Sequence, residues 1–414
     1  MREQQNASFV GLDIGTANVR CVVGVLDPNA ENFLPRVVAY AEAPNAGMRK
    51  GVVIHAEDVA DAIAKVLSEA ERMGGVSIAN ATVNIGGSHV LGQNSRGVIA
   101  ISAANRQITV QDRQRVEEAA TIIQMPANRE IIQVFAKNYR VDGQENIKDP
   151  VGLQGVRLEV DTHIISAATP SLKTLEAALE KAAITISHRT VSSVAAAEAV
   201  LDRKQKEHGT ALIDIGAGTT SIVVVEDGEI QHVAVLPVGG NNITNDLAIG
   251  LKTDLEVAEL VKRNHISFAK DAKPAKSISL THDDREHFFS AEDAHMIVEA
   301  RVEEMMELID KELKKIQKSK KLPGGAIFVG GTARLPGLAD IAVRKLQLPS
   351  RIGSLKELEG MSEKTGDAAW ATATGLMLMD MVFSQPADEA ADDAASGKMI
   401  QSVQSLLKRF SNKK

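Results

Sequence analysis

The chain has 414 residues, 44% of them hydrophobic and 24% charged, with 47 Lys and Arg against 54 Asp and Glu for a net charge of −7. This excludes a small disulfide-stapled scaffold, leaves room for two or three packed domains, and argues against a general nucleic-acid binder. The single cysteine, Cys21, has no partner for an internal disulfide, and no Cys/His run has zinc-ligand spacing, so a reducing compartment, the cytoplasm, is expected. No uncharged apolar run reaches the ~18 residues of a membrane span, and the opening MREQQNAS has no apolar signal core. The chain is therefore expected neither to span a membrane nor to be exported.

In chain order, 9–14 and 19–26 are apolar, β-branched runs flanking Gly15-Thr16-Ala17-Asn18, which predicts an antiparallel hairpin. A third strand is expected at 36–43. Within 57–73, Val59, Ile63, Val66, Leu67 and Ala70 fall at helical spacing before Gly74-Gly75, and a strand at 81–85 follows. From Gly86 the texture changes to a Gly-rich hairpin, an amphipathic helix at 111–124 and strands such as 130–139, which reads as an inserted α/β module over 86–157. Strand and helix resume at 158–167, 171–183 and 191–202, and Gly209 closes the first half.

The second half repeats the opening of the first. ALIDIGAGTTSIVVVEDGEI at 211–230 has the layout of FVGLDIGTANVRCVVGVLDPN at 9–29: apolar strand, Asp-Ile-Gly, small polar turn, apolar strand. A duplication at this distance predicts two similarly built lobes with a cleft between them. Helices are expected at 255–263 and 292–318, a strand at 325–329 running into GGTARLPG, and an Ala-, Gly- and Met-rich helix at 366–381. The expected organisation is a first lobe from 1–85 and 158–208, a second lobe from 209–244 and 322–383 carrying a smaller subdomain at 245–321, and an acidic, solvated linker at 384–397.

Each Asp-Ile-Gly turn suits one chemistry. Glycine lets the backbone approach an anion, and successive N–H groups with Thr hydroxyls donate to phosphate oxygens. Two such turns facing each other would grip a polyphosphate. Asp13 and Asp214, at the strand ends before them, are candidate holders of a hydrated Mg²⁺. Taken singly, either D-x-G could be plain strand-to-turn punctuation; the pairing, with further glycine sites at Gly239-Gly240 and Gly330-Gly331, weighs against that.

Residues 9–20, 211–224 and 326–338 resemble the phosphate-1, phosphate-2 and adenosine motifs of the actin-like ATPases. Within that superfamily the chain is most similar to the FtsA family of bacterial division proteins, through GMRKGVV at 47–53 and KDPVGLQGVRL at 148–158. The resemblance implies a duplicated α/β fold of the actin-like, ribonuclease H-like kind, with a small SHS2-like module on the first lobe. It implies ATP and Mg²⁺ as ligands, with Gly15, Thr16, Ala17, Asn18, Gly216, Gly218, Thr219 and Thr220 along the phosphates and Gly239 and Gly240 nearby. Gly330, Gly331 and Thr332 would flank the adenosine, and the AELVKR string would bring Glu259 and Lys262 to ribose and base. Without the family, Glu259 and Lys262 read as a surface i,i+3 ion pair. One departure is Ala217, where the family has glycine. Glu198, on the helix joining the lobes, occupies the place of the water-positioning side chain; it reads equally as the polar side of an Ala-rich crossover helix, and ATP binding with slow or absent turnover is expected.

The last segment, 398–414, differs in character. Met399, Ile400, Val403, Leu406, Leu407 and Phe410 form one stripe at helical spacing, and with Lys398, Lys408, Arg409, Lys413 and Lys414 and no acid the tail carries +5, leaving −12 on the rest. Such segregation predicts a reversible helical contact with anionic membrane lipids; the alternative is a helix packed on the protein's own core. The resemblance further implies self-association into filaments, the FtsZ C-terminal peptide and later division proteins as partners, and a peripheral place on the cytoplasmic face of the bacterial inner membrane at the division site. The alternatives are an actin-like scaffold of pilus or secretion assembly and an ATP-hydrolysing actin-like ATPase.

Overall fold

The computed structural model describes residues 8–26, 34–102, 104–269 and 276–384; the acidic linker after Ser384 and the amphipathic tail lie outside the described residues. The first lobe opens with β1 (Ser8–Ile14), β2 (Asn18–Val25), β3 (Arg36–Pro44), a small hairpin of β4 (Met48–Arg49) and β5 (Val52–Val53), α1 (Ala56–Gly74) and β6 (Asn80–Ile85). The near-continuous apolar runs of β1 and β2 make them interior strands, covered on both faces. α1 lays Val59, Ile63, Val66 and Leu67 on the sheet, each worth roughly 1.5–3 kcal/mol of burial, and Gly75 ends it at φ 62° with its N–H on the Glu71 carbonyl.

The inserted module holds β7 (Leu91–Ala100), α2 (Val110–Thr121), β8 (Arg129–Val141), β9 (Gln144–Ile147) and β10 (Arg157–Ala168). Its sheet runs β7-β10-β8-β9, so the run expected to resume the first lobe at 158–167 is instead an interior strand of the module, which extends to Ala168. The expected Gly-rich hairpin is also replaced: β7 is a single strand paired with the distant β10. Its Gly97 is the seat of α2, where a methyl would lie 2.0 Å from the Val116 carbonyl.

The chain then returns through α3 (Thr169–Lys181), β11 (Thr185–Val191), α4 (Ser192–Val200) and α5 (Arg203–His208). The second lobe follows with β12 (Thr210–Ile215), β13 (Thr220–Glu226), β14 (Glu229–Leu236), α6 (Gly240–Leu251), α7 (Leu255–His265), β15 (Ser277–His282), β16 (Arg285–Ser290), α8 (Ala291–Lys315), β17 (Ala326–Val329), α9 (Leu338–Leu346), β18 (Ser350–Ile352) and α10 (Ala371–Phe383). The duplication is visible in the sheets. β3-β2-β1-β6-β11 and β14-β13-β12-β17-β18 have the same order, three antiparallel strands followed by two parallel ones.

α4 and α10 carry the chain between the lobes and cross each other at the centre, with Ala371 to Met381 of α10 buried throughout. The crossing has no slack: a methyl on Gly375 would lie 1.8 Å from the Ala195 carbonyl. The module also leans on the second lobe along β14. There His163 Nε2 accepts from Val233 N–H at 3.0 Å, and Lys137 and Lys148 donate to the Gln231 and Asp227 carbonyls. Burial pushes the His163 pKa down to about 3, with the neighbouring His232 and Lys137 acting the same way, so the ring is neutral and can accept that bond. Gly375→Val is expected to cost about 3 kcal/mol or more, because the obstacle is backbone and neither helix can move without the lobes; urea denaturation checks it.

Candidate functional site

The strand ends of β1 and β12 meet the cleft in matching turns. Gly15 N–H donates to the Asn18 carbonyl at 3.0 Å and Gly216 N–H to the Thr219 carbonyl at 2.9 Å. In each lobe the loop after the third strand supports the turn. Asn45 binds the Gly15 and Ala17 carbonyls, and the Gly240 and Asn241 amides bind the Gly216 and Ala217 carbonyls. The two turns touch, since a methyl on Gly218 would lie 2.8 Å from Thr16 Oγ1. Ala17 is exposed at the tip of the first turn, and Ala217, the family departure, holds its turn with the same bonding.

Asp13 sits buried behind the first turn and Asp214 half-buried behind the second. Asn84 Nδ2 donates to Asp13 Oδ1 at 2.7 Å, and Thr372 on α10 donates to Asp214 Oδ2 at 3.0 Å. Burial is the main reason the Asp13 carboxyl is pushed up to about 7; Arg20, its cross-strand neighbour, opposes the rise, and Asp214 and Glu42 add to it. Asp214 is also raised by burial, against the Thr372 hydrogen bond and the Arg20 charge. Arg20 pairs with Glu42 at 2.7 Å and lies over the Trp370 ring. Two carboxylates from duplicated positions, both largely removed from water and short of positive charge, fit a hydrated divalent cation. Sequence reasoning missed Asn84, Thr372 and Arg20; no local signal separates the first two from the other polar residues of β6 and α10, such as Thr82, Thr374 and Asp380.

On the second lobe, Thr332 Oγ1 donates to the Gly216 carbonyl at 3.0 Å, and a methyl on Gly240 would lie 2.4 Å from that hydroxyl, so Gly216, Gly239, Gly240 and Thr332 form one surface. Gly330, at φ 90°, passes so close to Asp214 that a methyl would lie 2.3 Å from its Oδ1. Gly331 is exposed, and a methyl there would meet nothing within 4 Å. Lys262 donates to Glu259 at 2.5 Å, Thr244 at 2.8 Å and the Gly240 carbonyl at 3.2 Å. The i,i+3 pair of Glu259 and Lys262 therefore exists and is tied to the loop, and it reaches the site through Gly240.

Two expectations are corrected. Thr219 lies in the turn, whereas Thr220 already belongs to β13, fully buried, with its hydroxyl on the Val238 carbonyl; it cannot face a phosphate. Glu198 is paired with Lys206, whose Nζ lies 2.8 Å from both carboxylate oxygens, while Lys356 binds the Glu198 carbonyl. Burial pushes its carboxyl up, but Lys206 and Lys356 outweigh this and hold it below the usual range. It is Ser192, at the start of α4, that touches Asn84; Glu198 lies six residues on, about 9 Å along the helix, and is a structural ion pair.

Two lobes of the same topology, meeting at paired glycine turns backed by aspartates at equivalent strand ends, define an actin-like protein. The family model described as "Cell division protein FtsA" matches residues 211–375, and "SHS2 domain inserted in FTSA" matches 87–166. Cell division protein FtsA of Pseudomonas aeruginosa is 32% identical over 378 residues, 91% of this chain and 89% of that one. Its counterpart in Bacillus subtilis is 35% identical over 352 residues, covering 84% and 79%. The chain belongs to the FtsA family of cell division proteins. Solved structures with this fold include the PilM-PilN type IV pilus biogenesis complex (TM-score 0.65, 18% identity, 92% of this chain and 100% of that one) and MreB5 of Spiroplasma citri bound to ADP (TM-score 0.51, 16% identity, 98% and 99%).

The raised Asp13 pKa has a signed consequence. The native state keeps a proton that the unfolded chain has lost, so stability falls as pH rises from about 4 to about 7 and does not recover above. Asp13→Asn is expected to be more stable than the parent by on the order of 1–3 kcal/mol at pH 8, with a smaller gap at pH 5. Mg²⁺ should raise the melting temperature of the parent at pH 8 but not that of the variant, as read by calorimetry. Glu198→Ala, which leaves Lys206 buried and unpaired, is expected to cost about 3 kcal/mol in urea denaturation and to leave nucleotide affinity unchanged.

Proposed function

We propose that the protein binds ATP with Mg²⁺ in the cleft, assembles into filaments on the cytoplasmic face of the bacterial inner membrane at the division site, and anchors the FtsZ ring there while recruiting later division proteins. The observation that carries the nucleotide reading is the matched pair of turns, each opened by a glycine whose N–H closes the turn and backed by an aspartate that is buried in the first lobe and half-buried in the second. Gly15, Thr16, Ala17 and Asn18 would take the phosphates from one side, and Gly216, Gly218 and Thr219, with Gly239 and Gly240 at the start of α6, from the other. The α6 N-terminus adds its partial positive charge. Asp13 and Asp214 would hold Mg²⁺ through water, a cation that neutralises phosphate charge when bound. Gly330, Gly331 and Thr332 would border the adenosine. Glu198 being committed to Lys206 supports slow or absent turnover.

Two further features support the adaptor role. No described helix is long and apolar enough to cross a membrane, so attachment rests on the tail stripe from Met399 to Phe410 with Lys408 and Arg409. The smaller subdomain exposes Ile249, Phe288 and Met296, large apolar groups of the kind that a peptide such as the FtsZ C-terminus covers. Co-sedimentation with anionic vesicles and an FtsZ C-terminal peptide, with and without ATP, tests the whole reading. The full chain should carry the peptide to the pellet, and deletion of 398–414 should reduce pelleting about tenfold or more, since each basic residue near anionic lipid is worth about 1 kcal/mol and the stripe adds to it. Equal sedimentation of the truncated chain would overturn the membrane role, and peptide pelleting independent of this protein the adaptor role.

A further inference from the structure

The GMRKGVV segment, which adds Val53 and part of Met48 to the first lobe's core, forms the β4–β5 hairpin between the two phosphate turns and the inserted module. Its two-residue tip is Lys50-Gly51, with φ 49° and 71°. A tip with both residues at positive φ favours Asn-Gly or Asp-Gly, and lysine is a poor occupant of the first position. A side chain kept against local preference beside a ligand site points to use of that side chain.

The surroundings say what that use is. Gly51 N–H donates to Thr16 Oγ1 at 3.0 Å, which ties the tip to the first turn. A methyl on Gly218 would lie 3.0 Å from Lys50 Cα, which places the tip against the second turn as well. Lys50 is exposed there, and among the described residues its ammonium has no ion-pair or hydrogen-bond partner. Three other cations near the turns are engaged: Arg20 by Glu42, Lys262 by Glu259, and Arg334 by Asp367. A mobile point charge on a four-carbon stem, standing where two phosphate-gripping turns meet, suits the last phosphate of a triphosphate.

The hairpin's other side is closed. A methyl on Gly51 would lie 2.5 Å from Gly87 Cα, and one on Gly87 2.6 Å from the Gly51 carbonyl, so Gly86-Gly87, the root of the module, rests directly on the tip. Val52, Val53, Gly86, His89, Leu172 and Leu175 line a small shared cavity behind it. Movement of the tip toward a phosphate therefore acts on the module root through backbone contact.

We infer that Lys50 reads the terminal phosphate of the bound nucleotide and that the β4–β5 hairpin passes the reading to the root of the inserted module. This rests on the nucleotide reading above. The test compares parent, Lys50→Asn and Lys50→Arg in calorimetry with MgATP and MgADP, and in hydrogen exchange over 86–93. Asn is the residue the turn prefers, so Lys50→Asn should melt no lower than the parent. Expected are a loss of about tenfold in ATP affinity, about 1.4 kcal/mol, with ADP affinity changed less than about twofold, since one charged contact is removed. Lys50→Arg should fall between. The exchange difference between ATP and ADP seen at 86–93 in the parent should vanish in Lys50→Asn. Parent-like discrimination in Lys50→Asn overturns the sensing role, and altered discrimination with unaltered exchange overturns the relay. Failure of the parent to bind either nucleotide overturns the nucleotide reading itself, a result separate from both.

Discussion

Asp13 and Asp214 face a shared interior from equivalent strand ends; Asp13 is buried and Asp214 half-buried, and the loss of water around each carboxyl makes its charge costly. Arg20 is the cation in their field and is itself shared with Glu42 and stacked on Trp370. The cleft is thus built short of positive charge at its centre. The rest of the site is arranged around that shortage: Asn84 and Thr372 fix one oxygen of each carboxylate, while the glycine turns keep side chains out of the space in front of them. Such a centre has a reason to close on a cation and on anions that arrive with it.

The duplicated strand-turn-strand units could be read from sequence because their signals are local. Apolar β-branched runs and a glycine turn depend on neighbours in the chain, and both turns fold with the same hydrogen bond. The limit of the module could not be read in this way. β10 is a mixed polar and apolar strand that runs directly into α3, and nothing local reveals that it pairs with β7 some 60 residues earlier. The glycine-rich texture after Gly86 misled for a related reason: Gly97 serves a helix seated above it rather than a turn, and only the assembled sheet shows that.

Among the site residues, those that act through backbone were legible and those that act through tertiary partners were not. Gly216 and Gly240 announce themselves by type, whereas Asn84 and Thr372 matter because α10 and β6 end beside the aspartates. Thr219 and Thr220 are adjacent and alike, yet one residue of register puts the first in the turn and the second inside the sheet. Glu198 and Lys262 show the same limit for charge. Each has the residue type its expected role requires, and each also has an acid–base partner close by, buried Lys206 for Glu198 and the half-exposed Glu259 for Lys262, which residue type alone does not reveal.

The inserted module is fastened to the first lobe at its root and also rests on the second, on β14 through His163 and Lys137 and on the turn before it through Lys148. The molecule is therefore an arch braced at both feet, with the α4–α10 crossing as its keystone, and its jaws are not free to swing on a single pin. Widening the gap must either detach the brace from β14 or carry the whole brace along as a lever. Whatever grips the outer face of that brace would then gain a mechanical hold on how long the gap stays shut.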